Sequence, residues 1–455
     1  MSKLWQKGVT LNELVERYTV GRDYLLDRDL VNADCLASMA HAAMLEKIGL
    51  LSAGESSSLH GGLAEIVRLN LAGRFPIAAA DEDCHTAIEN FLVARLGEAG
   101  KKIHAGRSRN DQVLAALRLY GRAFLLEFQR SVLGLAATLI GFARSHQLVP
   151  MPGRTHMQLA MPSSVGLWAA AYAEELLDDL LLSEAAYELN DACPLGSAAS
   201  YGVPLALDRE MVADLLAFAR VQNNVLAANN SRGKVESVIL DAVEQVMLTL
   251  SRLAQDVILF SLPEFGYFAL PEELCAGSSI MPQKRNPDLL ELVRAKTAAV
   301  SARGAQIKSI LRAMPSGYNR DLQETKAPFM EGCTLGLASV QVVDLLMGRL
   351  GVNEERLAAG FRPEIYAADR ALELVAEGVP FRDAYRRVAA DLAALGERDP
   401  REAIARKTHT GAPGNLRLDV AEGRLASLRE AGERRRQRVE PKLKALAGFD
   451  VPLYG

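Results

Sequence analysis

The sequence predicts an all-α protein with three mostly helical domains, the central one a bundle of long helices. Several segments of about 25 to 35 residues carry apolar residues at helical spacing, nearly uninterrupted by proline. Alternating apolar and polar runs bounded by turn residues, which are typical of strands, are almost absent. Apolar residues make up 49% of the 455 positions, so the chain can bury a large core.

The clearest helical pattern covers residues 234–262. At 1.5 Å per residue a helix of this length would span about 40 Å. Its apolar seam recurs at steps of three and four residues, at Val235, Val238, Ala242, Val246, Leu250, Leu253 and Val257. Similar patterns occupy about 112–147, 163–189, 287–313 and 322–350. These segments together predict the central bundle.

The helical patterns are shorter at both ends of the chain. Before about residue 106 they are broken by AGE, AGRFP and GEAG, and after about residue 358 by RPE, ERDP and TGAPGN. We therefore predict an N-terminal helical domain at 1–106, the bundle at 107–358 and a small helical domain at 359–455. The basic run at 432–440, GERRRQRVE, fits a solvated helix face better than a binding patch.

Composition and charge restrict the possible partners. With 52 basic and 56 acidic side chains the net charge is −4, so no field for nucleic acid is predicted. We find no hydrophobic signal segment or membrane span, and we expect a soluble, cytoplasmic protein. The five cysteines are scattered and form no CxxC pair. They fit small core residues, and no metal site is expected.

Four segments break the helical pattern with glycine and proline yet are crowded with polar groups. They are residues 101–112, 151–164, 275–291 and 315–326. The first and last are locally cationic, and arginine forks and lysines at loop ends suit carboxylates. A phosphate would carry a similar charge, but no glycine-rich phosphate-binding motif is present. A small acidic ligand is therefore the expected partner.

The segment 275–291, CAGSSIMPQKRNPDLLE, admits two interpretations from its residues alone. Asn286-Pro287-Asp288 predicts a helix start, with Asn as N-cap and Pro at the first position. Gly277 before Ser278 and Ser279 would provide a hinge that carries hydroxyl groups. The segment is then either a polar connector between helices or a lid that closes over an anion.

Two histidines are candidates on local grounds. His156 in GRTHMQ is one of only seven histidines, and either a structural or a functional role fits it. A partner carboxylate such as Glu291 would favour function. His85 in DEDCHTAIE fits a helix-start residue beside acidic neighbours as well as a site residue.

Residues 277–286, GSSIMPQKRN, match the signature GSSxMPxKxN of the fumarase/aspartase superfamily. The chain resembles the argininosuccinate lyase branch of that superfamily over nearly its full length. The matching motifs are SMAH at 38–41, EDCH at 82–85, HAGRSRNDQ at 104–112, PGRTHMQ at 152–158, PLGSAA at 194–199 and YNRDLQETK at 318–326. The sequence departs from the family pattern at Arg154, where tyrosine is common, and at Arg285, where a second lysine is common.

The resemblance implies three mostly helical domains, whose bundle helices form a twenty-helix core in a homotetramer. It also implies active sites assembled from loops of three subunits, so an isolated monomer would be inactive. The implied reaction is β-elimination of an N-substituted succinate, argininosuccinate in this branch, to fumarate and arginine, without metal or organic cofactor. The alternatives are a relative that acts on another N-substituted succinate or nitrosuccinate, and a non-catalytic relative like the lens crystallins.

Residue roles follow from the same resemblance. Ser278 would remove the proton, and His156, supported by Glu291, would protonate the leaving nitrogen, although the opposite assignment is also known in the family. Lys284 would stabilise the dianion that forms when the proton is removed. His85 matches a supporting position. The implied substrate-binding residues are Ser38, Ser108, Arg109, Asn110, Thr155, Asn286, Tyr318, Gln323 and Lys326.

Overall fold

The computed structural model describes residues 12–454, and it confirms a mostly helical chain. The helices before residue 106 are α1 Glu13–Val20, α2 Asp23–Leu26, α3 Val31–Lys47, α4 Ala53–Leu71, α5 Cys84–Leu96 and α6 Glu98–Lys102. The central helices are α7 Arg109–Ser145, α8 Val165–Asn190, α9 Arg209–Leu215, α10 Val225–Asn230, α11 Lys234–Phe260, α12 Asp288–Leu311 and α13 Lys326–Met347. The remaining helices are α14 Glu354–Ala359, α15 Ala367–Ala376, α16 Phe381–Ala390, α17 Pro400–Ala405 and α18 Leu418–Ala447.

The bundle consists of α7, α8, α11, α12 and α13, and each lies within about four residues of its predicted span. The apolar seam predicted on α11 is largely buried: of its residues only Val238 is half-exposed. Long uninterrupted periodicity is the reason for this agreement, because every turn of these helices presents an apolar residue to a neighbour.

The long helices run alternately up and down, so their termini form two groups. At the first end, the Asn190 amide at the end of α8 donates to the Arg118 carbonyl near the start of α7 (2.8 Å). Arg118 in turn pairs with Glu236 at the start of α11 (3.5 Å). At the second end, the Trp168 indole near the start of α8 donates to Asp256 near the end of α11 (3.0 Å). The 37 residues of α7 separate the two ends by about 55 Å.

The first end also holds the end of α12 and the start of α13. Gly233, which precedes α11 with φ 76°, lies against both helices: an added Cβ would come within 2.9 Å of the Leu311 side chain and 3.2 Å of Thr325. A larger residue would push these termini apart, so glycine suits this position for its space as well as its backbone angle.

Three two-stranded sheets connect the helices. They are β1 Pro150–Thr155 with β2 Gln158–Ser164, β3 Ala192–Cys193 with β4 Arg220–Val221, and β5 Phe268–Ala269 with β6 Gly351–Val352. The segment 151–164, for which the sequence predicts no strand, forms the antiparallel β1–β2 hairpin at the second end. Pairing satisfies its backbone groups, and Gly153 allows close approach, since a Cβ there would lie 2.6 Å from the Met161 carbonyl oxygen.

One main apolar core runs from Leu30 to Leu453 and therefore includes residues of all three predicted domains. A second, small core forms around Ala371, Val388 and Leu395. Four of the five cysteines are buried, as predicted, and Cys275 is half-buried. By length and composition α7 and the segment Arg320–Met347 are apolar enough to cross a membrane, but they are mostly buried inside the fold. The domain boundaries stay a prediction.

The basic run 432–440 is solvated on one side of α18 only, where Glu433, Arg434, Gln437 and Glu440 are exposed, and its other side contacts the bundle. Arg435 of α18 pairs with Glu184 of α8 (2.6 Å), Arg436 donates to the Leu126 carbonyl of α7 (3.0 Å), and Arg438 pairs with Asp191. The run therefore attaches α18 to the bundle. A helical charge run predicts only that its side chains find polar partners, and on the bundle side of α18 these partners are protein groups rather than water.

Asp191 gives a stability prediction. It is 2% exposed and joins Arg438 to the buried Arg122, whose guanidinium lies 3.4 Å away. We expect Asp191→Asn to lower the free energy of unfolding by about 3 kcal/mol, because it leaves a buried cation without its carboxylate. Urea denaturation measures this change.

The matched control is Asp214→Asn, at the exposed pair of Asp214 with Lys442. It should change the free energy of unfolding by less than about 1 kcal/mol. Equal effects of the two substitutions would contradict the structural role given to Asp191.

Candidate active site

A cavity of about 310 Å³ opens at the first end of the bundle. Six predicted site residues line it: His85, Arg109, Asn110, Tyr318, Gln323 and Lys326. The other lining residues are Val20, Asp23, Glu82, Asp83, Val113, Arg232 and Arg320. The structure therefore brings together residues that lie more than 200 positions apart in the sequence. The lining has four cations, two side-chain amides and three acids, and this excess of positive charge around a small volume suits an acidic ligand.

The N-terminus of α7 is fixed by a capping box. Ser108 accepts a hydrogen bond from the Asn110 amide (3.3 Å), and Asp111 accepts from the Ser108 amide (2.8 Å). The other oxygen of Asp111 accepts from the amides of Gly196 (3.0 Å) and Ala198 (2.8 Å). Burial raises the pKa of Asp111 although these bonds oppose the change. The cap therefore ties the 194–199 loop to the turn that carries Arg109 and Asn110.

Arg109 reaches the cavity between two acids. Its Nη1 lies 3.5 Å from a Glu82 carboxylate oxygen and 3.4 Å from Asp83. The exposed fraction of the Arg109 side chain is 27%. The guanidinium is thus oriented by Glu82 and Asp83 but keeps donors that can bind a ligand carboxylate.

Lys326 is 2% exposed and lies between two carboxylates, 2.5 Å from Asp27 and 2.9 Å from Asp23. Burial disfavours the ammonium, but the two acids outweigh it and raise the pKa of Lys326. Burial likewise opposes ionisation of Asp27, yet Lys326 and His85 hold its pKa below the ordinary value. Asp23 behaves oppositely, because burial and the charge of Asp27 raise its pKa. The charge on Lys326 is therefore largely compensated within the protein.

His85 is buried beside the cavity and pairs with Asp34, 3.2 Å from Nδ1. Burial favours the neutral ring, but Asp34 prevails and raises the pKa of His85. Atoms of Asp27, Cys84 and His85 that could coordinate a metal ion lie within 4.8 Å of one another. Because Lys326 holds Asp27 and Asp34 holds His85, these side chains are already committed to ion pairs. The raised pKa favours the protonated ring of His85, whose charge Asp34 balances.

Ser38 and Ser108 do not line the cavity. Ser38 is fully buried in α3 and accepts a hydrogen bond from Arg107 (2.8 Å), while Ser108 serves as the helix cap. Ser108 directly precedes Arg109 of the cavity lining, and Ser38 is hydrogen-bonded to Arg107, two residues before Arg109. Their predicted role in substrate binding stays a prediction.

Arg232 lines the cavity and was missed by the sequence reasoning. It is 3% exposed, and its guanidinium lies 5.9 Å from the centre of the Tyr318 ring. A signal was present, because Arg232 and Lys234 flank the start of α11, where the helix dipole disfavours positive charge. A positive charge at a position that the helix dipole disfavours suggests a second interaction, such as binding of an acidic ligand.

The remaining predicted residues lie at the second end. Thr155 ends β1, and His156 is in the two-residue turn of the hairpin; both are exposed. His156 and Met157 have φ values of 51° and 63°, a backbone conformation that residues other than glycine seldom adopt.

The 275–291 loop is closed at its base by a backbone pair between Ala276 and Asn286. Ser278 Oγ accepts hydrogen bonds from the amides of Met281 (3.1 Å) and Ile280 (3.4 Å). Lys284 is exposed. The prediction that Asn286 caps the next helix is wrong. Helix α12 begins at Asp288 after Pro287, while the side-chain amide of Asn286 donates to the Gly277 carbonyl (3.4 Å). Pairing with Ala276 holds Asn286 away from the helix start.

Glu291 lies in the first turn of α12 and is exposed. Among the described residues, no hydrogen bond or ion pair joins Glu291 to His156 within the chain. The candidate residues therefore form two groups, a cation-lined cavity at the first end and a hairpin turn with a serine loop at the second. The length of α7 keeps the two groups apart in a single chain.

Comparisons with known proteins give the chain its relatives. A family model described as Lyase matches residues 9–302. An argininosuccinate lyase of Sorangium cellulosum is 48% identical over 423 residues, which cover 93% of this chain and 98% of the relative. An argininosuccinate lyase of Thermotoga neapolitana is 46% identical over 387 residues, covering 85% and 97%.

Solved structures share the fold at lower identity. A structure of EDDS lyase with formate has a TM-score of 0.79 at 23% identity and covers 97% of this chain and 95% of its own. A class II fumarase from Schistosoma mansoni has a TM-score of 0.70 at 18% identity and covers 94% of each chain. The predicted fold is thereby confirmed. By its family match and its close sequence relatives, this chain belongs to the argininosuccinate lyase family.

Proposed function

We propose that this chain cleaves argininosuccinate by β-elimination to arginine and fumarate. The observation that carries the proposal is the cavity at the first end, where Arg109, Arg232 and Arg320 surround a space of about 310 Å³ together with Asn110 and Gln323. Guanidinium groups with amides are suited to a substrate that carries several carboxylates. In such a cavity the carboxylates bind and are oriented before the bond breaks.

The chemistry requires stabilisation of a dianion. Removing a proton from the carbon next to a carboxylate converts that group to an aci-carboxylate, whose extra charge must be met by donors and cations. The electron pair then forms the carbon–carbon double bond, the carbon–nitrogen bond breaks, and the leaving nitrogen takes up a proton. We assign the stabilising role to Lys284, Asn286, Thr155 and Ser108.

We assign proton removal to Ser278. A serine hydroxyl is a poor base unless its alkoxide is stabilised, and here the amides of Ile280 and Met281 already donate to its oxygen. Closure of the loop over a bound substrate would add cations and exclude water. His156 would then deliver the proton to the leaving guanidinium nitrogen, with Glu291 to raise its basicity.

The two groups of candidate residues support a shared site. The cavity and the serine loop lie at opposite ends of the bundle, in which α7 spans about 55 Å, so the loop that closes a given cavity would be supplied by another copy of the chain. We propose a homotetramer in which each site takes loops from three chains. We also propose that the enzyme works in the cytoplasm.

The test is direct measurement of fumarate. Purified protein incubated with argininosuccinate should release fumarate, followed by its ultraviolet absorbance, and arginine in equal amount. A panel of other N-substituted succinates and nitrosuccinate should react at least about 100-fold more slowly. Absence of fumarate from a folded oligomer would overturn the proposal, and faster release from another member of the panel would reassign the substrate.

A further inference from the structure

Arg154 lies beside the hairpin turn and contacts no residue of the cavity in the described chain. It precedes Thr155 at the end of β1, where the register of the β1–β2 pair shifts between Pro152 and Arg154. Its Nη1 donates to the Met157 carbonyl oxygen across the turn (3.2 Å). Its guanidinium carbon lies 4.9 Å from the centre of the Phe265 ring. One side chain thus joins the turn to the segment after α11.

The turn requires additional stabilisation because its backbone adopts an unfavourable conformation. A two-residue hairpin loop with positive φ at both positions is best made by Asn-Gly, since other residues crowd their own carbonyl groups. This chain places His156 and Met157 there, at φ 51° and 63°. Both residues are exposed, so burial of their side chains does not hold the turn in place.

Phe265, the aromatic partner of Arg154, is itself held in place by packing. Phe265 packs against Phe260 at 6.1 Å and Tyr267 at 5.4 Å between ring centres. Phe260 and Tyr267 are both buried. The face of such a ring attracts a guanidinium group. The Arg154 Nε is fully buried, so the side chain is packed rather than free in solvent. This contact fixes the position of the turn relative to the aromatic cluster at the end of α11.

From these contacts we infer that Arg154 is a positioning residue, which holds the His156 turn in its unfavourable conformation so that the imidazole is presented to the reacting nitrogen. The inference rests on the proposed function for the role of His156. Arg154 itself touches neither substrate nor the reacting atoms. Its effect therefore falls on the rate of proton transfer rather than on substrate binding.

The first experiment separates kcat from KM. Arg154→Met keeps an unbranched apolar stem but removes the donor and the charge, and we expect kcat for fumarate release to fall about 30- to 100-fold. KM should stay within about twofold, because the cavity residues are unchanged. Arg154→Lys should retain more activity than Arg154→Met. The control is Arg252→Met on exposed α11 surface, which should leave kcat within about twofold.

A second substitution tests the mechanism of the effect. Met157→Gly makes the positive φ value favourable, so in the Arg154→Met background it should restore kcat about tenfold, while alone it should change kcat less than about twofold. Absence of recovery would overturn the inference. A raised KM with unchanged kcat would also overturn it, because Arg154 would then be a substrate contact.

Hydrogen exchange tests the same inference without activity. In wild type the amides of residues 154–158 should exchange slowly, and Arg154→Met should speed their exchange about tenfold, with reversal by Met157→Gly. If the wild type releases no fumarate from any substrate of the panel, the proposed function fails while this result still decides whether Arg154 holds the turn. Unchanged exchange in Arg154→Met would refute the inference whatever the activity.

Discussion

Ser278→Ala is expected to lower kcat for fumarate release by about a thousandfold or more, because the variant has no group to accept the substrate proton. The hydroxyl oxygen of Ser278 lies within hydrogen-bond distance of two backbone amides, of Ile280 and Met281. These donors stabilise the alkoxide, and alanine offers no oxygen for them to bind. Steady-state and single-turnover kinetics measure the loss.

Ser279→Ala is the matched control. Ser279 is the next residue in the same loop and is exposed. Its hydroxyl has no part in the proposed chemistry, so kcat should stay within about threefold of wild type. If instead Ser279→Ala abolishes activity and Ser278→Ala retains it, the reactive hydroxyl has been assigned to the wrong serine.

Lys326→Met is expected to lower the free energy of unfolding at pH 7 by about 3 to 5 kcal/mol, since it leaves the carboxylate of Asp27 buried without its cation. Asp27 is fully buried and lies 2.5 Å from the Lys326 ammonium. The Cys84 amide still donates to Asp27 (2.9 Å) but carries no full charge. Urea denaturation of both proteins gives the difference.

The effect should depend on pH in a defined direction. In wild type the pKa of Asp27 is lowered, because Lys326 and His85 outweigh burial. The contribution of Asp27 is therefore present above the unfolded pKa of about 4 and lost as the pH falls through the lower folded value. The raised pKa of Lys326 adds stability below its unfolded value, which is lost only as the pH rises through the folded one.

In the variant the burial of Asp27 is no longer opposed by Lys326, so the folded state takes up a proton more readily than the unfolded chain. We therefore expect the stability difference between wild type and Lys326→Met to narrow as the pH falls from 7 toward 4. Lys308→Met, at the exposed pair with Asp241, should cost less than about 1 kcal/mol at every pH. A difference that widens on acidification would contradict the ion-pair account.

Most of the helical architecture could be predicted from periodicity alone. The bundle helices repeat their apolar pattern over six to ten turns, and α11 begins at the predicted residue 234. The β1–β2 hairpin was missed because its residues 150–164 contain three prolines and one glycine and do not alternate cleanly. Prolines there mark irregular pairing, with the register shift at Pro152, rather than the absence of strands.

The division of the site into two groups could have been predicted from helix order. Consecutive long helices connected by turns run antiparallel, so the segments around 101–112 and 315–326 must share one end, and 151–164 and 275–291 the other. Side-chain partners could not be predicted in this way. The pairs of Lys326 with Asp27 and of Arg154 with Phe265 join residues about 300 and 110 positions apart, and no local pattern marks either.

A mixture of two inactive variants, altered at opposite ends of the bundle, tests whether each active site is shared between chains. Ser278→Ala disables the second end and Arg109→Met the cavity at the first, so each homo-oligomer should be inactive. After joint dissociation and reassembly at equal amounts, random mixing should restore about a quarter of wild-type activity, because some sites then combine an intact loop from one chain with an intact cavity from another. A mixture as inactive as its components would show that loop and cavity act within one chain, contrary to the proposed shared site.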